Sequence, residues 1–192
     1  MQIFRLVFLP FFLSLILLSE TASPGTIQGK VNCGKYCSSI IIYVKDVQGE
    51  YSGEGELAVL DQKAKIFIPH VMPILKGTTV RLKNSDPLLH NIHGYLNKKT
   101  VFNVALPIQG QTLDRRFRRT GTHIILCDIH TEMSAYIVVL DNPFFTQPDE
   151  NGLYEILDVP PGKYTLVKYD PEEKETVEKE VSVTAESTTL NF

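Results

Sequence analysis

Short runs rich in Val, Ile, Thr, Tyr and Phe recur along this chain, each bounded by Gly, Pro, Asn or Asp. They include "GTIQGKV", "SIIIYVK", "AKIFIP", "TTVRLKN", "THIILC", "AYIVVL", "GLYEIL", "KYTLVKY" and "KEVSVTA". Each has the length of a strand, and several alternate apolar and polar residues with period two. No long segment carries a capped 3.6-residue apolar period. This pattern predicts an all-β protein of sandwich or barrel type. With 192 residues, 43% of them hydrophobic, the chain can fill the cores of one or two such domains.

Part of the apolar content is spent at the N-terminus. "MQIFRLVFLPFFLSLILLSETASPG" has one early cation, Arg5, then an apolar run, then small polar residues. It reads as a secretory signal peptide over residues 1–22, the alternative being a retained membrane anchor. Glu20 is an imperfect fit to the cleavage region, and no Cys follows the run to carry a lipid. No later segment is long and apolar enough to span a bilayer, so no stable membrane insertion is expected after cleavage. Export implies a periplasmic or secreted protein in an oxidising compartment. Cys33 and Cys37, in "VNCGKYCSSI", can then form a disulfide across a turn. A binuclear copper site shares that spacing, but no His or Met follows where one is needed. Cys127 is left over, and an odd Cys in an exported chain needs an explanation.

Cys127 opens "CDIHTEM", where thiolate, the imidazole of His130 and the thioether of Met133 share seven residues. A mononuclear electron-transfer copper site uses two imidazoles and a thiolate in a rough plane, with a weak axial thioether. The second imidazole is expected from His90, in "NSDPLLHNIHG" after the strand "TTVRLKN". "GTHIILC" runs into Cys127, which places the thiolate at a strand end. The ligand set is therefore His90, Cys127, His130 and Met133, for one copper. Zinc is the poorer fit, since Met is a weak zinc ligand. A buried structural Cys with a loop His is the bland alternative. The other histidines do not join this set. His93 faces away from His90 on its strand. His123 lies about 13 Å from Cys127 at strand rise and is expected in or near the core. His70, between Pro69 and Pro73, reads as structural.

"LKNSDPLLHNIHG" and "CDIHTEM" together resemble the cupredoxins, in particular amicyanin and plastocyanin-like exported proteins labelled as methylamine-utilisation proteins. The likeness covers roughly residues 55–141. It implies a Greek-key cupredoxin sandwich, copper on the four residues named, and Asn91 tying the two ligand loops together. Thr131 and Glu132 depart from the proline and aromatic residue often found there. The C-terminal "DENGLYEILDVPPGKYTLVKYD" resembles the second half of a carboxypeptidase-regulatory-like β-sandwich, whose opening Gly-x-Ile-x-Gly-x-Val strand stands at Gly25 to Val31. A second small β-sandwich is thus expected from residues 25–49 and 149–192, with a copper domain at 50–148 inserted. Two domains in series remain the alternative.

These features point to a protein that carries single electrons between redox partner proteins, and not to an enzyme. Copper storage, delivery or sensing is the competing reading. The chain lacks Trp and carries a net charge of only −3, so nothing suggests nucleic acid as a partner. Charge is uneven: residues 1–140 hold 15 Lys and Arg against 10 Asp and Glu, and residues 141–192 hold 4 against 12. The densest basic run, "DRRFRR" at Asp114 to Arg119, reads either as a charged strand edge or as a docking patch for an acidic partner.

Overall fold

The computed structural model describes residues 23–192, so the expected signal peptide lies outside the described residues. The strands in chain order are β1 (Gly25–Lys30), β2 (Ile41–Lys45), β3 (Leu57–Lys63), β4 (Ile66–Ile68), β5 (Val71–Leu75), β6 (Thr79–Asn84), β7 (His90–Leu96) and β8 (Lys99–Leu106). They continue as β9 (Thr112–Arg116), β10 (Gly121–Leu126), β11 (Ser134–Leu140), β12 (Phe145–Thr146), β13 (Leu153–Val159), β14 (Gly162–Asp170), β15 (Glu175–Val183) and β16 (Ser187–Thr189). One 3-10 turn, Gly34–Ser39, stands between β1 and β2. The expected all-β class is what the chain adopts.

The strands form four sheets that face each other in two pairs. The order β5-β11-β10-β7-β8 makes a five-stranded sheet and β4-β3-β6-β9 a four-stranded one. Leu60, Val80 and Leu82 of the smaller sheet meet Ile92, Leu106, Ile125 and Ile137 of the larger in one buried core. Alternation along β6, with Val80, Leu82 and Asn84 inward and Thr79, Arg81 and Lys83 outward, is what commits that strand to this face. Three consecutive pairs in this sandwich, β3/β4, β7/β8 and β10/β11, are sheet neighbours, and its other pairings are not between chain neighbours. β5 runs parallel beside β11 and β3 parallel beside β6, so the connections cross between sheets.

The second pair is built from both ends of the chain. β13-β1-β16 faces β12-β2-β14-β15. Their shared core holds Ile27, Ile156 and Val159 on one side and Ile42, Leu166 and Val181 on the other. Each such side chain contributes about 1.5–3 kcal/mol on burial. β1 lies between β13, opposite which Ile27 meets Ile156, and β16, opposite which Ile27 meets Thr188. β2 lies between β12 and β14, pairing Tyr43 with Phe145 and Val44 with Leu166. The turn into β13 explains the Asp-x-x-Gly pattern. Asp149 Oδ1 accepts the N–H groups of Asn151 and Leu153 at 2.9 and 2.8 Å. Gly152 takes φ +78°, and a Cβ there would stand 2.1 Å from the Val31 carbonyl oxygen.

A smaller apolar cluster of Ile41, Val71 and Val138, flanked by Tyr43, Tyr136 and Tyr169, joins the two sandwiches. Thr122 Oγ1 and Tyr169 Oη hydrogen-bond across it at 2.8 Å. His70 is structural there, its Nδ1 3.0 Å from the Ser134 carbonyl oxygen and its Nε2 3.3 Å from Glu172. Cys33 and Cys37 are disulfide-bonded, and Cys127 is free and buried.

The basic run sits at a sheet edge, as one of its two readings required, since β9 ends the four-stranded sheet. It is not an open cationic patch throughout. Arg81 engages Asp114 through two hydrogen bonds of 2.7 and 2.8 Å, and Arg116 pairs with Glu54 at 2.7 Å. Arg115 lies over the Phe102 ring, 4.2 Å from its centroid.

Candidate metal centre

Two loops at one end of the larger sandwich carry the expected ligands. The first leaves β6 at Asn84, a fully buried residue whose amide organises the turn. Its Nδ2 donates to the carbonyls of Leu88 and Leu106 at 2.8 and 2.7 Å, and its Oδ1 accepts the Asp86 N–H at 2.9 Å. Asp86 in turn accepts the N–H groups of Ala64 and Lys65 at 2.7 and 2.9 Å. Burial acts to raise the Asp86 pKa, but the Lys65 N–H, the His90 ring and the Ala64 N–H outweigh it and leave it lowered. The chain then enters β7 at His90. The second loop begins where β10 delivers Cys127 and ends at Met133, just before β11. It is closed at both ends: Cys127 N–H donates to the Met133 carbonyl at 3.3 Å and Met133 N–H to the His130 carbonyl at 2.9 Å.

Three of the four residues converge. The Cys127 Sγ lies 3.9 Å from His90 Nδ1 and 3.9 Å from His130 Nδ1, and the two ring nitrogens are 3.0 Å apart. A point in the plane of this triangle is about 2.1 Å from all three atoms. Metal–imidazole bonds run about 2.0–2.1 Å and metal–thiolate bonds about 2.3 Å, so a single ion fits the donors as they stand.

The protonation pattern agrees. His90 Nε2 is 2.9 Å from Asp86 Oδ2, and a carboxylate can only accept, so Nε2 carries the proton and Nδ1 keeps its lone pair toward Cys127. Two imidazole nitrogens at 3.0 Å need a proton or a cation between them. His90 and Cys127 are buried, His130 is the most exposed of the four, and Met133 is buried in the core beside the loop.

Asn91 links the loops. Its Oδ1 accepts the Asp128 N–H at 2.8 Å and lies 3.4 Å from Cys127 Sγ, while its Nδ2 donates to Asp128 and Asn103 at 2.8 Å. Asp128 also accepts from Asn103 Nδ2 at 2.9 Å and lies 2.9 Å from His93 Nδ1. The His93 bond, helped by those from Asn103 and Asn91, lowers the Asp128 pKa against the opposing effect of burial. His93 therefore faces away from His90, as its spacing required, and stacks on Tyr95 with ring centroids 4.2 Å apart. His123 is buried, in the core position expected for it. Sequence reasoning missed Asp86, the partner of His90. Its signal was available, since Asp86 precedes His90 by four residues within the turn-forming "NSDP". Around the site, Leu88, Leu89, Ile108 and Ile129 are large apolar residues left exposed.

Fold and site together define an all-β protein with a His-Cys-His group, buried at His90 and Cys127 and partly exposed at His130, at the end of one sandwich. Solved structures similar to it include cupredoxins. A purple cupredoxin from Nitrosopumilus maritimus is 25% identical, with a TM-score of 0.39, over 43% of this chain and 99% of its own. A reduced amicyanin variant is 17% identical, with a TM-score of 0.41, over 52% of this chain and 98% of its own. A copper-containing nitrite reductase from Thermus scotoductus is 21% identical, with a TM-score of 0.41, over 50% of this chain but only 25% of its own. No protein-family model and no curated protein matches the chain.

Proposed function

We propose that this protein is an exported one-copper electron carrier, in which His90, Cys127, His130 and Met133 would hold the copper. The observation that carries the reading is the donor triangle, whose centre is at bonding distance from all three atoms. Copper bound by thiolate, imidazole and thioether exchanges one electron with little rearrangement, because the set suits both oxidation states. The protein's part is to hold that set still. Asp86 fixes the tautomer of His90, Asn91 fixes the two loops against each other, and the core around Met133 excludes water. His130 is the ligand through which a partner would take the electron, and the exposed Leu88, Leu89, Ile108 and Ile129 offer that partner an apolar rim.

In this reading the carrier unit is residues 50–148, inserted into the sandwich made by 25–49 and 149–192, and the mature protein works in the periplasm or outside the cell. Two backbone facts support the insertion. Val44 N–H donates to the Phe144 carbonyl at 2.9 Å, so the chain just before the insert runs beside the last residues of it. β1 pairs with β13 and β16 and β2 with β14, all from residues 149–192, while β2 also pairs with β12 at the very end of 50–148.

The test is the visible spectrum of copper-loaded protein. Thiolate bonding to Cu(II) gives an intense charge-transfer band, and Cys127→Ser removes it while the β fold persists. A band of unchanged intensity in that variant would sink the ligand assignment. Repeated reduction and reoxidation beside a strong Cu(I) chelator separates carriage from delivery: a carrier keeps its metal and colour, a donor loses both.

A further inference from the structure

The terminal sandwich supplies no ligand, yet it reaches the end of the ligand loop through His70. This residue lies between β4 and β5, and its contacts go to the first residues of β11. Its ring Nδ1 is 3.0 Å from the Ser134 carbonyl oxygen. Its own carbonyl accepts the Tyr136 N–H at 2.8 Å, and its ring meets the Tyr136 ring edge-on with centroids 5.5 Å apart. Ser134 follows Met133 directly. The strand start that His70 holds is therefore the point at which the ligand loop ends.

The other ring nitrogen faces the terminal sandwich. Nε2 is 3.3 Å from Glu172 Oε2, in the turn between β14 and β15. That turn is fixed independently of His70. The buried Asp170 accepts the N–H groups of Glu172 and Glu173 through Oδ1 at 2.9 and 3.1 Å. Tyr169, beside it in the chain, bonds Thr122 across the joint between the sandwiches. Glu172 is thus held where it can steer the ring, although its side chain is half-exposed. The field of this turn also reaches β11, since burial first and then the Glu172 charge push the Tyr136 pKa up.

A carbonyl and a carboxylate can only accept. A neutral imidazole has one N–H and satisfies one of them, whereas the imidazolium donates to both. We propose that His70 is a positioning residue through which the terminal sandwich holds Met133. Glu172 orients the ring, and the ring fixes the Ser134 carbonyl where the loop joins β11. The consequence at the metal rests on the carrier reading, because the thioether tunes the potential of such a site. The contact itself needs no metal.

Amide hydrogen exchange of the full chain without metal tests the contact, at about pH 5.5, where an ordinary imidazole is mostly charged. Glu172→Gln should speed exchange of the Met133 and Cys127 N–H groups, which close the loop, by about two- to fivefold, the size of a partly exposed ion pair. Glu173→Gln removes the same charge from the next residue and should leave both rates unchanged. The amide of His70→Asn can still donate to Ser134 but stops short of Glu172, so in that background Glu172→Gln should add nothing. In the copper-loaded chain, Glu172→Gln should shift the reduction potential further than Glu173→Gln does. Unchanged exchange in Glu172→Gln, an equal effect of Glu173→Gln on exchange or potential, or a full Glu172 effect in the His70→Asn background would each overturn the proposal and leave the carrier reading standing. The expected exchange pattern in a chain that shows no visible copper band would uphold the contact and overturn the carrier reading instead.

Discussion

Asp86 determines which nitrogen of His90 faces Cys127. Its carboxylate accepts from Nε2, and two backbone N–H groups hold it in place. Asp86→Ala should therefore lower copper affinity by roughly 10–100-fold, the usual cost of losing such a partner, without removing any ligand. Competition with a chelator of known affinity measures this. Unchanged affinity would mean the ring is held by packing alone. His123 gives a pH prediction whose sign follows from its depressed pKa. Between its ordinary value of 6.5 and the lower folded value, the unfolded chain binds more protons than the folded one. This contribution to stability is fully present above pH 6.5 and is lost as pH falls through that window. His123→Gln should flatten the decline of stability with acid relative to the natural chain, as read by denaturant midpoints across the window. Parallel declines in the two proteins would remove His123 as a cause.

Among the elements, the segment from β6 to β7 carries the strictest demand. Asn84 ends β6 on the buried side and satisfies the carbonyls of Leu88 and Leu106 from within the core. Asn84→Ala should cost about 2–4 kcal/mol, because it leaves two carbonyls short of a donor where water has poor access. Chemical denaturation measures that loss, and a broadened visible band would report the loosened His90. β7 itself shows why its glycine is there. A Cβ at Gly94 would stand 2.2 Å from the Phe102 ring, beside the register shift between Gly94 and Tyr95. The alternating pattern of "TTVRLKN" made β6 legible as a strand, whereas the role of Asn84 was not legible. A buried Asn at a strand end looks in sequence like any turn residue, and only the two carbonyls brought to it across space distinguish it.

At the scale of the molecule, the terminal segments need each other. β1 has its neighbours in β13 and β16, and β2 in β12 and β14. Removing residues 149–192 would strip every one of those but β12 and bare Ile27, Ile42 and Val44. Such a truncation should aggregate, visible by light scattering. Conversely, replacing residues 50–143 by a short Gly-Ser linker, which spares Phe144 and β12, should leave a folded β protein, because Val44 and Phe144 already lie side by side and loop closure grows only logarithmically with length. A linker variant without dispersed amide signals would favour the arrangement in series.

The sequence alone determined the all-β class, the positions of most strands, the Cys33–Cys37 pairing and the residues of the donor triangle. Most of this is written in local order: period-two alternation, turn residues, a Cys pair across a turn, and Cys127 and His130 three residues apart, with His90 read from its own strand-end segment 37 residues earlier. Tertiary structure alone decided the rest. The 3.0 Å and 3.9 Å donor separations depend on β7 and β10 lying beside each other in one sheet, where Leu126 stands opposite His93. The match of Asp86 to His90, the burial that leaves His123 Nδ1 unpaired and the closing of the chain's ends on one another are contacts between residues that no periodicity relates. They follow from where the packed sheets leave room, which is a property of the whole fold.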